Sequence, residues 1–208
     1  MQILVYNIDM AKFYIGLSLG PTSTIESGIA VMQEDGSLSY VDKLFSMNDV
    51  VYFFDNFHSL KDSVVMVSLP WDNAMLNGKW RVLSKPYQRI HENSMFRNAD
   101  NWMQRFSPRG SDYLSKLVEK GADVARFEVY LTRQRLNLYS NYKERSPADC
   151  KFYQSALKLN YGFSNLPNNM MPVAQLEAIT GALLAKEYSK GNTKRIFTFN
   201  GIDAVNLV

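Results

Sequence analysis

The chain has 208 residues, of which 46% are hydrophobic and 21% charged, and a formal net charge of +3. These values exclude a mainly disordered chain and fit one domain with a sizeable core. The charge is too mildly basic to argue for nucleic-acid contact by itself.

No apolar run approaches the ~20 residues of a membrane-spanning helix. The start, Met1 to Asp9, has neither the basic opening nor the small-residue cleavage site of a secretion signal, so the expectation is a cytoplasmic protein with no membrane partner. Cys150 is the single cysteine, which leaves no internal disulfide and no thiolate metal cluster. His58 and His91 lack the close spacing of a zinc site.

The first element in chain order is the β-rich run Lys12–Leu19, broken by Gly20-Pro21-Thr22-Ser23-Thr24. Gly28–Met32 follows, then the hairpin signal Asp35-Gly36, then Leu38–Val41, so the spacing predicts a three-strand antiparallel meander. Ser46 with Asp49 reads as a helix start, and Val50, Val51, Phe54 and Phe57 supply the apolar stripe. Ser63–Leu69 is a continuous apolar run of the kind a parallel strand covered on both faces requires.

Residues 71–122 read as a less regular helical insertion within a single 1–208 domain. Trp71, Trp80 and Trp102 lie there, and a short helix from Ser111 closes near Gly121. Arg126–Leu131 reads as a further strand and Thr132–Tyr142 as a basic helix. Ser146-Pro147 restarts a helix, with serine as cap and proline in its first position. The last helix spans Pro172 to Gly191 and carries small residues at Ala174, Ala178, Gly181, Ala182 and Ala185, which let it lie close to a sheet. Ile196–Phe199 is the expected final strand. The fold class is therefore α/β, a mixed sheet flanked by helices.

Gly16-Leu17-Ser18-Leu19-Gly20 matches the G-x-S-x-G nucleophile elbow. That chemistry needs a strand-to-helix turn with an acid and a histidine later in the chain, whereas these residues lead into a hairpin. The plain reading is a strand end with glycines at a tight turn.

Four segments in order resemble a large domain-of-unknown-function family of predicted ribonuclease H-like nucleases. Its members read approximately G-I-D-G, I-D-A-P-L and E-V-Y-P, then a helix with D-A followed by small residues. The counterparts here are Gly16–Gly20, Val67-Ser68-Leu69-Pro70-Trp71, Glu128-Val129-Tyr130-Leu131 and Glu177–Ala182. The resemblance implies a ribonuclease H-like fold and two Mg or Mn ions, held by strand and helix carboxylates, that drive phosphodiester cleavage of nucleic acid.

Ser18 and Ser68 stand where the resemblance places aspartates, and Leu131 replaces the proline. A hydroxyl is one neutral oxygen, whereas magnesium gains most from charged oxygen ligands. Glu177 and Glu128 remain as metal-ligand candidates, and Asp72, four residues past Ser68, is a further candidate from a loop. The expectation is weak or lost cleavage. The structural alternative makes Glu177 a helix-face acid paired with a nearby base, and the other acids solvated surface carboxylates.

The first loop also resembles the phosphate loop of the actin, heat-shock ATPase and sugar-kinase superfamily, which reads approximately G-I-D-L-G-T-T. Gly20, Thr22, Ser23 and Thr24 are then the phosphate-binding candidates. Those proteins wrap two related domains around the nucleotide, and 208 residues supply one.

Basic and aromatic residues alternate at Arg133, Arg135, Tyr139, Tyr142, Lys143 and Arg145, a composition that suits single-stranded nucleic acid. The competing reading turns Tyr139 and Tyr142 inward and leaves the arginines as a solvated face. Three functions stay open: a nucleic-acid-directed nuclease relative, a phosphate or nucleotide module, and a non-catalytic interaction domain, the last allowing a homo-oligomer.

Overall fold

A computed structural model describes residues 13–19, 26–68, 114–199 and 202–208. The strands are β1 (Phe13–Ser18), β2 (Ser27–Gln33), β3 (Leu38–Leu44), β4 (Ser63–Ser68), β5 (Asp123–Phe127), β6 (Thr193–Phe199) and β7 (Ile202–Leu207). The helices are α1 (Met47–Asn56), α2 (114–119), α3 (Val129–Arg135), α4 (Pro147–Tyr161) and α5 (Val173–Ser189). No described helix is long and apolar enough to cross a membrane.

The strands form one seven-stranded mixed sheet in the order β3-β2-β1-β4-β5-β7-β6. β1, β2 and β3 make the antiparallel meander, while β4 joins β1 in parallel and β5 joins β4 in parallel. The α/β fold class expected from the sequence is the one observed.

Period-2 alternation sorts the strand side chains onto two covered faces. Tyr14, Ala30, Met32, Val64, Met66, Ala125 and Phe127 pack with α4 and α5. Ile15, Leu17, Ile29, Val31, Val65, Val67 and Val124 pack with Val50 and Phe54 of α1 and with Leu114 and Leu117 of α2. Helices on both faces explain why β1 and β4 are nearly all apolar.

α5 carries the small-residue face because it sits directly on the meander. A Cβ built on Gly16 would lie 1.8 Å from the Ala178 carbonyl oxygen, and one on Gly28 would lie 1.9 Å from that of Ala174. Helix backbone thus meets strand backbone at two points.

α1 begins as its sequence dictates. The Asp49 N–H donates to Ser46 Oγ at 3.1 Å, and the Ser46 N–H donates back to Asp49 Oδ2 at 2.8 Å. Ser46→Ala should cost about 1 kcal/mol by removing one arm of this box. A melt that falls by roughly 2–4 °C would match that loss for a chain of this size, whereas an unchanged melt would contradict it.

Two expectations are corrected. The segment Glu128–Leu131 is not the end of a strand: β5 stops at Phe127, and Glu128 is the N-cap of α3. The basic helix expected to reach Tyr142 ends at Arg135, with Asn137 in the left-handed region at φ 55°. A strand was also missed, since β7 follows β6 and pairs with it antiparallel. The expected helical insertion lies mostly outside the described residues, except that α2 and the left-handed Gly121 close it.

Candidate functional site

The parallel strands β1, β4 and β5 end side by side. In register, Ser18 stands next to Ser68, and Ser68 next to Phe127. Adjacent strands lie about 4.8 Å apart, so the two serines form a short polar step at the carboxyl edge of the sheet. In open α/β sheets ligands bind outside this edge.

α5 crosses above that step and brings Glu177 to it. The Ser18 hydroxyl donates to Glu177 Oε2 at 2.7 Å. From the other side, Arg145 Nη2 donates to Oε1 at 2.8 Å and to Oε2 at 3.1 Å. The pair is asymmetric in exposure: the Glu177 side chain is 3% exposed and that of Arg145 is 49% exposed. The Glu177 charge, foremost among several influences, raises the Arg145 pKa, so the guanidinium stays charged. Glu177 is therefore a buried helix acid paired with a base, and it faces Ser18 rather than solvent.

Glu128 has a different task. Its Oε1 accepts the Tyr130 N–H at 3.0 Å and its Oε2 the Leu131 N–H at 2.7 Å, so both carboxylate oxygens satisfy the first turn of α3. Ser68 is partly buried at the end of β4. Asp72, and Gly20, Thr22, Ser23 and Thr24 of the phosphate-loop reading, lie outside the described residues.

Among the described residues no three His, Cys, Asp or Glu side chains converge on a point where a metal ion would be held. Glu177 is engaged by Ser18 and Arg145, and Glu128 by two backbone amides.

Sequence reasoning placed Arg145 only in a basic and aromatic run. The structure splits that run. Arg133 and Asp149 form a buried ion pair, with side chains 2% and 1% exposed and an Nη2 to Oδ1 distance of 2.8 Å. The Arg133 guanidinium also lies 3.9 Å from the centroid of the Tyr153 ring. Arg135 and Lys143 are exposed, Tyr139 is partly buried and Tyr142 is 54% exposed. The inward packing of both tyrosines and the solvated face of all the arginines are therefore each corrected. The signal that was available is the acid at Asp149, four residues after Arg145, where the start of α4 carries it inward.

Searches against protein-family models, curated proteins and solved structures found no match.

Proposed function

We propose that this chain is a nucleic-acid-directed protein of the ribonuclease H-like type whose metal-dependent phosphodiester cleavage is weak or lost. The observation that carries the reading is the state of Glu177. It sits on the helix that crosses the carboxyl ends of β1 and β4, where the resemblance puts a metal-binding acid. There it meets a neutral serine and an arginine.

A guanidinium supplies positive charge permanently and without dissociating. The group Ser18–Glu177–Arg145 sums to zero charge, so its attraction for a divalent cation is small compared with that of three clustered carboxylates. The meander joined to parallel strands, with the acid-bearing helix packed on it, supports the ancestry. The loop that delivers Arg145 also exposes Tyr142 and Lys143, which supports a nucleic-acid partner.

The test is calorimetry with Mg²⁺ and Mn²⁺, run beside cleavage and binding assays on single-stranded, duplex and hybrid oligonucleotides, for wild type and Glu177→Ala. Wild type is expected to retain oligonucleotide with no metal-stimulated cleavage. Metal-dependent cleavage abolished by Glu177→Ala would overturn the loss of chemistry. Failure to hold any of the three nucleic acids would overturn the choice of partner.

A further inference from the structure

We propose that residues 140–146 form a phosphodiester-binding loop for single-stranded nucleic acid, with Arg145 as the phosphate contact and the buried Arg133–Asp149 pair as the clamp that sets it. This rests on the nucleic-acid reading above and names the residues that would do the binding.

The loop is tied at both ends to one ion pair. At its entry, Arg133 Nε and Nη2 donate to the Leu138 carbonyl at 3.2 and 3.1 Å, and the Ser140 hydroxyl donates to Asp149 Oδ1. At its exit, the Arg145 N–H donates to Asp149 Oδ2 at 3.0 Å, and the Asp149 N–H to Ser146 Oγ at 3.2 Å. Between these anchors Asn141, Tyr142 and Lys143 are exposed.

Arg145 itself has φ 59°, in the left-handed region that a long side chain rarely adopts. Such a conformation costs on the order of 1 kcal/mol and persists only where the surroundings impose it. Asp149 imposes it here by accepting that N–H. The turn aims the side chain at Glu177.

Both side-chain hydrogen bonds that Arg145 makes to described residues come from Nη2. The planar guanidinium has five donors in a fixed fork. With Nη2 turned to the carboxylate, the Nη1 donors are the ones left to meet an incoming oxyanion. Glu177 then serves to orient the fork, and Tyr142, directly before Lys143-Glu144-Arg145 and 54% exposed, offers a ring face to a base.

The probe is a fluorescein-labelled single-stranded oligothymidylate, long enough for a loop of this reach at roughly 12 nucleotides, titrated by anisotropy over a range of salt concentrations. Arg145→Ala should weaken binding about tenfold and flatten the slope of log affinity against log salt by about 0.7, the value for one phosphate contact on a single strand. Tyr142→Ala should weaken binding with the slope kept. Asp149→Asn should flatten the slope as Arg145→Ala does, and the double variant should lose nothing more. Because Asp149→Asn disturbs a buried pair, Arg133→Met with Asp149→Leu provides a second clamp-free variant with an apolar interior; circular dichroism checks its fold.

Wild-type binding with a slope untouched by Arg145→Ala would overturn the phosphate contact while sparing the nucleic-acid reading. Folded clamp variants with a wild-type slope would overturn the clamp. A wild type that does not bind the oligothymidylate would overturn the loop proposal, and duplex and hybrid probes in the same assay decide whether the underlying reading falls with it.

Discussion

Gly16→Ala is expected to destabilise the protein by about 3 kcal/mol or more, as overpacking against atoms that cannot retreat does. A single methyl at this position would meet the Ala178 carbonyl oxygen at 1.8 Å and the Ala182 nitrogen at 2.5 Å, both helix backbone. No rotamer change relieves that overlap; α5 must lift off β1. For a chain of this size the loss corresponds to a fall of roughly 6–12 °C in Tm. Gly191→Ala is the control. Gly191 has φ 77° with no atom within 4 Å of the added carbon, so only backbone strain of about 1 kcal/mol applies. Equal melts for the two variants would show that crowding under α5 does not govern this contact.

Arg133→Met alone is expected to cost about 3–5 kcal/mol, because it leaves the Asp149 carboxylate buried without its counter-charge. Arg133→Met with Asp149→Leu should recover most of that loss, since a packed apolar pair often equals a buried ion pair. Denaturant titration of both variants decides the matter, and a double variant no better than the single one would refute the argument.

The same pair sets an acid limit. Burial by itself pushes the Asp149 carboxyl up, but hydrogen bonds from Arg133 and Ser140, the Arg133 charge and the Arg145 N–H outweigh it and hold it below the usual range. A carboxyl lowered in the folded state adds stability above its unfolded value of about 3.9, and that stability is lost as pH falls through the lowered folded value. Burial pulls Arg133 down, yet the Asp149 contact carries its pKa above the ordinary value, so its contribution persists throughout the accessible pH range. Wild type should therefore lose stability on acidification more steeply than the Met and Leu double variant.

The sheet was legible where a side-chain pattern has one physical solution. The Asp35-Gly36 turn, the apolar run of β4 and the Ser46 and Ser146 caps each announce their element, and all stand where expected. β5 was obscured because Arg126 interrupts its apolar pattern. The side chain is nonetheless fully buried, and burial lowers its pKa to about 10. Glu128-Val129-Tyr130-Leu131 looks like a strand by composition, and tertiary context overrides that propensity once Glu128 caps α3. β7 was signalled by Asn200-Gly201, a strong short-range hairpin pair, directly after Phe199.

The candidate site was half legible. Ser18 and Glu177 were picked out and do meet, 159 positions apart. Arg145 escaped because its side-chain partner lies 32 residues away on α5.

The notches that Gly16 and Gly28 offer to α5 also constrain motion. The helix carbonyls of Ala174 and Ala178 sit in these two notches, so the height of α5 above β1 and β2 is set by backbone against backbone and not by side chains that could repack. Glu177 is carried on a fixed beam. At this end of the sheet a ligand would therefore meet a carboxylate held by helix backbone and an arginine held by a loop, two supports of unequal stiffness.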